Sequence, residues 1–259
     1  MTIWEISIKN NFFKALIFSL VLGLYSVAFF GHDAIREFRG EDNLIQNLGA
    51  FFFFMASILY FASYLQSSGM GKDSRHLPAK RNIFYLLLAL LFFIGFGEEI
   101  SWGQRIFGWE TPQFLKEINR QGETNFHNIR MFDNKGQWGK DKTPVLSLIL
   151  NVTTWFFLFW LFYCLILPLL NRYSPRFRGY LTRFDFPLPP LWIGILLLVN
   201  FSIVTIPHLA SLLGRMDHSL HEVSETNYAF IFAVLAFHEL KKQLLIKKAK
   251  LKGEKKNGL

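Results

Sequence analysis

The chain has 259 residues, 51% of them hydrophobic and 30 of them Phe, with a formal net charge of +9. Ordinary soluble domains are more charged and disperse their apolar residues, whereas here they fall in blocks of about 18 to 25, the length that crosses about 30 Å of hydrocarbon. The lone cysteine, Cys164, excludes an intrachain disulfide and reads as a small buried hydrophobe.

The first block, Phe12 to Phe30, is flanked by Lys9 and Lys14. No small-residue cleavage site follows it, so an uncleaved anchor is expected. An acidic link, Gly31 to Asn43, leads to a second span, Leu44 to Gln66, and a basic link then carries Lys72, Arg75, Lys80 and Arg81. The third span begins at Asn82, runs through the uncharged stretch Ile83 to Phe96 into Glu98 and Glu99, and ends near Trp102.

The polar connection from Trp109 to Lys142 has structure of its own. Thr111 as N-cap and Pro112 at the first helical position, with Phe114, Leu115 and Ile118 on one face, predict a short helix on the membrane surface that Gly122 ends. Glu123-Thr124-Asn125-Phe126-His127-Asn128 follows. Further spans are expected over 144–170, 191–213 and 218–238, before a Lys-rich tail at 241–259. The expected fold is an all-α bundle of six transmembrane spans forming one domain over 1–240.

An even number of spans puts both termini on one face. That face collects most of the Lys and Arg, so the positive-inside rule makes it cytoplasmic. The basic tail reads as a topology signal that touches anionic lipid, and no nucleic-acid partner is expected because the Lys run lacks aromatic or motif context. The opposite face then gathers His32, His127, His208, His218 and His221.

Carboxyls at the margin of a bilayer are costly unless they are paired or solvated, which makes Glu98 and Glu99 candidate catalytic groups. On an unbroken third helix, Glu98, Ser101, Trp102 and Arg105 would share a face, with Arg105 available as partner. His127, between two amides in a connecting loop, is a candidate acid or oxyanion partner. His218, His221, Glu222 and Glu225 form a stripe at helical spacing on the sixth span. With His208 from the fifth span, His218, His221 and Glu222 make a candidate ligand set for zinc or a similar divalent ion. The dipole-favoured first turn of a helix explains the same carboxylates without a metal.

The segments Glu98-Glu99-Ile100-Ser101-Trp102-Gly103-Gln104-Arg105 and Gln121 to Asn128 together resemble a family of uncharacterised bacterial integral membrane proteins that bear these two signatures. The resemblance implies a bacterial inner membrane. The Glu pair also resembles the Glu-Glu-x-x-x-Arg of CAAX-protease-like membrane proteins, with Arg105 two residues later than in that pattern. The expected function is a membrane-embedded, metal-assisted hydrolase or transferase acting on a lipid or lipid-linked substrate at the outer face, with Glu98 or Glu99 as general base. A proton-coupled transporter would use the Glu pair as a relay, and an assembly scaffold would use the cluster for helix pairing alone. The inner halves of the spans read as largely apolar, which counts against the transporter.

Overall fold

The computed structural model describes residues 3–26, 44–67, 81–132, 149–206 and 219–257. Its elements are helices, and the only extended pairing among the described residues is an isolated bridge between Asn119 and Ile129. Helix α1, Ile3–Leu24, starts nine residues before the expected Phe12, because no Gly or Pro stops it in the amphiphilic stretch ahead. The acidic link at 31–43 lies outside the described residues. Helix α2, Leu44–Gln66, has the expected bounds.

Helix α3, Ile83–Glu99, is capped by the Asn82 side chain, which accepts from Phe84 N at 3.0 Å. It does not continue to Trp102. Ser101 and Trp102 take positive φ values of 48° and 54°, and the chain bends by 65° into a short helix α4, Gln104–Phe107. The surface helix forms as α5, Gln113–Ile118, with different caps from those expected. Pro112 stands at its N-cap, Thr111 accepts from Gln104 Nε2 at 2.7 Å instead of capping, and Asn119 rather than Gly122 ends it. Phe114 and Ile118 are exposed on it.

Helix α6, Val152–Tyr173, is long and apolar and carries a π turn at Leu161–Ile166. Helix α8, Leu191–Thr205, passes so close to this turn that a Cβ on Gly194 would overlap the Cys164 carbonyl oxygen. Between them α7, Pro175–Arg183, is capped by Ser174. Helix α9, Ser219–Asn257, is one helix of 39 residues, about 58 Å long at 1.5 Å per residue, so the basic tail continues the last apolar helix instead of leaving it.

Among the described residues two helices, α2 and α6, are long and apolar enough to cross a membrane, and α3 makes a third if it and its bent continuation are counted as one span. The chain is thus a helical membrane protein. Helix α2 packs against both α3 and α9. Their shared core is aromatic: Tyr60 stacks on Phe92 at 5.6 Å and Phe92 meets Phe232 at 4.8 Å, contacts that add about 0.5–1.5 kcal/mol each beyond area burial. Polar clasps lock the helices. Thr226 Oγ1 donates to Ile45 O at 2.8 Å, and Asn200 accepts from Tyr25 at 2.7 Å while donating to Ser224. Away from this core Phe51, Phe54, Ile58 and Phe61 stay exposed along α2, a surface suited to hydrocarbon rather than water.

Candidate functional site

At one end of the bundle the loop after α5 folds back under the α3–α4 bend. Asn119 organises it: its Nδ2 donates to Asn125 O and Oδ1 at 2.8 and 3.0 Å, and its Oδ1 accepts from Gln121 N and Glu123 N. Asn119 and Asn125 are both 1% exposed, so these bonds satisfy amides that burial would otherwise penalise. Arg120 N to Asn128 O and Arg130 N to Ile118 O close the base of the loop.

The bend and the loop meet at Glu123. Its carboxylate accepts from Ser101 Oγ at 2.6 Å, Asn125 Nδ2 at 2.6 Å and Arg105 at 3.0 Å. Thr124 adds two more ties, its N–H to Gln104 Oε1 and its hydroxyl to Ser101 O. The left-handed residues of the bend therefore present a buried hydroxyl and a carbonyl to the loop, which explains why such a strained turn persists.

Glu98 sits on the other side of the bend with both oxygens engaged. Oε1 accepts from Trp102 Nε1 at 2.7 Å, and Oε2 accepts from Phe126 N, His127 N and His127 Nδ1 at 2.7, 2.9 and 3.1 Å. An ionised carboxylate can only accept, so Nδ1 carries the ring proton and a neutral imidazole keeps its lone pair on Nε2. The His127 side chain is 41% exposed against 15% for Glu98, so this nitrogen is reachable while its orienting partner is covered. Trp102 lies flat over Gly97, where a Cβ would stand 2.9 Å from the indole, and meets Phe126 edge-on at 6.3 Å. Only glycine lets the indole reach Glu98.

Two further carboxylates face this dyad. Glu99 lies within electrostatic reach of Glu222, Arg105 and Glu98, and Glu225 within reach of Glu99, Glu222 and His127. Glu225 is exposed on α9. Helices α3 and α9 thus bring Glu99 and Glu225, far apart in sequence, within electrostatic reach of each other.

The structure joins Glu98 to His127 and places Glu99 nearby. Arg105 hydrogen-bonds to Glu123 beyond the break at Ile100 and stays within electrostatic reach of Glu99. His208 and His218 lie outside the described residues, while His221 and Glu222 belong to α9 and each makes contacts of its own. Among the described residues no three His, Cys, Asp or Glu side chains are gathered as a metal would require. Glu123 is the site residue that sequence reasoning passed over, although the segment holding it had been singled out for His127.

A second polar cluster, unforeseen in the sequence, lies at the opposite end. Glu239, fully buried on α9, accepts from Tyr85 at 2.8 Å, with Lys242 at 3.4 Å and His238 at 3.6 Å, and Gln243 donates to the Tyr85 hydroxyl at 2.8 Å. The buried hydroxyls of Tyr60 and Tyr163 are beside it. This end of the bundle is therefore not uniformly apolar, because aromatic hydroxyls place polarity inside hydrophobic runs.

No protein-family model, curated protein or solved structure matches the chain.

Proposed function

We propose that the chain is a six-span inner-membrane enzyme with both termini cytoplasmic, a hydrolase or transferase acting on a lipid or lipid-linked substrate at the outer face. The observation that carries this reading is the Glu98–His127 pair, a carboxylate locked by four donors that holds an accessible imidazole in one tautomer. In the proposed step His127 Nε2 takes a proton from water or an acceptor hydroxyl as that oxygen attacks. Glu98 stabilises the imidazolium that forms, and the leaving group receives the proton from Nε2. Glu98 is thus a positioning residue and not the base, since both its oxygens are committed. Arg105 likewise acts through Glu123, on the loop. Glu99 would complement positive charge at the site.

A divalent ion such as zinc, held by His218, His221, Glu222 and His208, belongs to the same proposal; when bound it would polarise the substrate oxygen. Metal analysis of the purified protein and of His221→Ala tests that part by itself. For the whole reading, purified protein in vesicles of bacterial polar lipid is followed by mass spectrometry. The proposal expects a lipid species consumed by the unmodified chain and spared by His127→Gln. No difference between the two overturns it.

The proton-coupled transporter gains one observation, the polar Glu239 cluster, because carboxylates now stand near both ends of α9. Between them Ala229, Ile231, Phe232, Leu235 and Ala236 are buried and apolar. Such a plug separates two sites instead of joining them in a relay, so the enzyme reading stands first.

A further inference from the structure

A cavity of about 550 Å³ opens at the Glu239 end, a size that suits a small organic ligand. Three cations line it from three separate elements: Arg81 before α3, Arg183 at the end of α7 and Lys242 on α9. Asp185 is the only acidic residue among the lining. The position of each is fixed by the fold. Asn82 caps α3 and donates to Asp185 O at 2.6 Å, which ties the α7–α8 turn to the start of α3, and Phe84 against Phe186 at 4.7 Å seals the same junction.

The cations are not spent on one another's neighbours. Arg81 lies over the Tyr64 ring at 5.4 Å, a contact that leaves its charge unneutralised, and Arg183 makes no ion pair among the described residues. Lys242 shares the Glu239 carboxylate at 3.4 Å but is half exposed. Tyr85 and Gln243 make a rigid polar floor, while Ile83, Phe84 and Leu188 give the wall an apolar side. A cavity with cations at its mouth, apolar walls, and a position where the apolar lengths of α3 and α9 end is chemically matched to a phosphate on a glycerol-type headgroup.

We propose that this cavity is a binding site for a glycerol-linked phosphate, separate from the Glu98–His127 end. The phosphate is held by Arg81 and Arg183 with Lys242 behind them. It comes either on an anionic lipid or on a soluble glycerol phosphate.

The test uses the full chain in nanodiscs containing phosphatidylglycerol and phosphatidylcholine, with retained lipid read by native mass spectrometry. Phosphatidylglycerol should be retained selectively, and Arg81→Gln with Arg183→Gln should lower its retention by about tenfold or more, the change expected for one or two lost charge-assisted contacts. Arg176→Gln with Lys248→Gln, which removes the same charge at the same end outside the cavity, should leave retention unchanged, and Arg183→Lys should restore part of it. Competition with glycerol 3-phosphate separates the sources: displacement at millimolar concentration assigns the site to the soluble ester, resistance assigns it to the lipid. Equal retention of the two lipids together with no binding of glycerol 3-phosphate overturns the proposal. So does equal loss in the cavity and control variants at unchanged thermal stability.

Discussion

Each end of the bundle covers a carboxylate, and the two have different kinds of partner, with Glu239 Oε1 left without a hydrogen bond among the described residues. Glu98 takes two backbone N–H groups and an imidazole from the loop and an indole from the adjacent bend. Glu239 takes Tyr85 from another helix and His238 and Lys242 from its own, and it is 0% exposed. The helix-borne cluster, with its carboxylate sealed and its His238 and Lys242 side chains reaching solvent, ties α3 to α9 through Tyr85. A loop-borne one with an exposed ring is organised to present that ring. The lesson is that exposure of the neighbouring ring does not separate the two, since His127 is 41% and His238 44% exposed; what separates them is that Glu98 holds its ring at 3.1 Å within a set of four donors, whereas Glu239 stands 3.6 Å from its own.

The largest effect that would break this contrast is on turnover. His127→Gln should lower consumption of the lipid substrate by about 10²- to 10⁴-fold, the range for losing a positioned acid–base group, while leaving stability within about 0.5 kcal/mol. The opposite profile belongs to Glu239. Glu239→Ala leaves the buried Tyr85 O–H without its acceptor, although Gln243 still donates to the same oxygen, and should cost about 1–3 kcal/mol in detergent unfolding, with turnover per folded molecule unchanged. If Glu239→Ala instead abolishes turnover in fully folded protein, the two ends are one functional unit and the transporter reading gains.

Smaller changes sharpen the picture of the loop. Glu123→Ala removes the acceptor of Ser101, Asn125 and Arg105 and should cost about 1–2 kcal/mol. Hydrogen exchange at the amides of Phe126 and His127 should speed up with it, since the loop then keeps the Thr124 and Glu98 ties to the bend but loses those of Glu123. Smallest is Gly97→Ala, about 1 kcal/mol, which pushes the Trp102 indole off Glu98. A red shift in tryptophan emission would report the move, and an unchanged spectrum would mean that the indole is not held there.

Some of this was legible in the sequence. Leu44–Gln66 is uninterrupted and apolar, so its bounds could be read directly. The Glu pair at the end of an uncharged run and the loop histidine could both be singled out, and the fold brings Glu98 and His127 to 3.1 Å. The break at Ile100 was not legible, because the residues that take positive φ are Ser101 and Trp102, and only Gly103 beside them hinted at a turn. Reading a continuous helix there sent Arg105 toward Glu98, whereas the bend delivers it to Glu123. The Glu239 cluster was hidden for another reason: Tyr60, Tyr85 and Tyr163 count as hydrophobic in a composition and become polar only when their hydroxyls face a common centre.

The central claim is that Glu98 fixes His127 with its proton on Nδ1 and its lone pair on Nε2. Nitrogen NMR of the labelled His127 ring reads this tautomer without knowledge of the substrate. The account predicts a protonated Nδ1 and an unprotonated Nε2 in the neutral ring, giving way to a mixture of tautomers in Glu98→Gln. A proton on Nε2 in the unmodified protein, or a spectrum indifferent to Glu98→Gln, would contradict it.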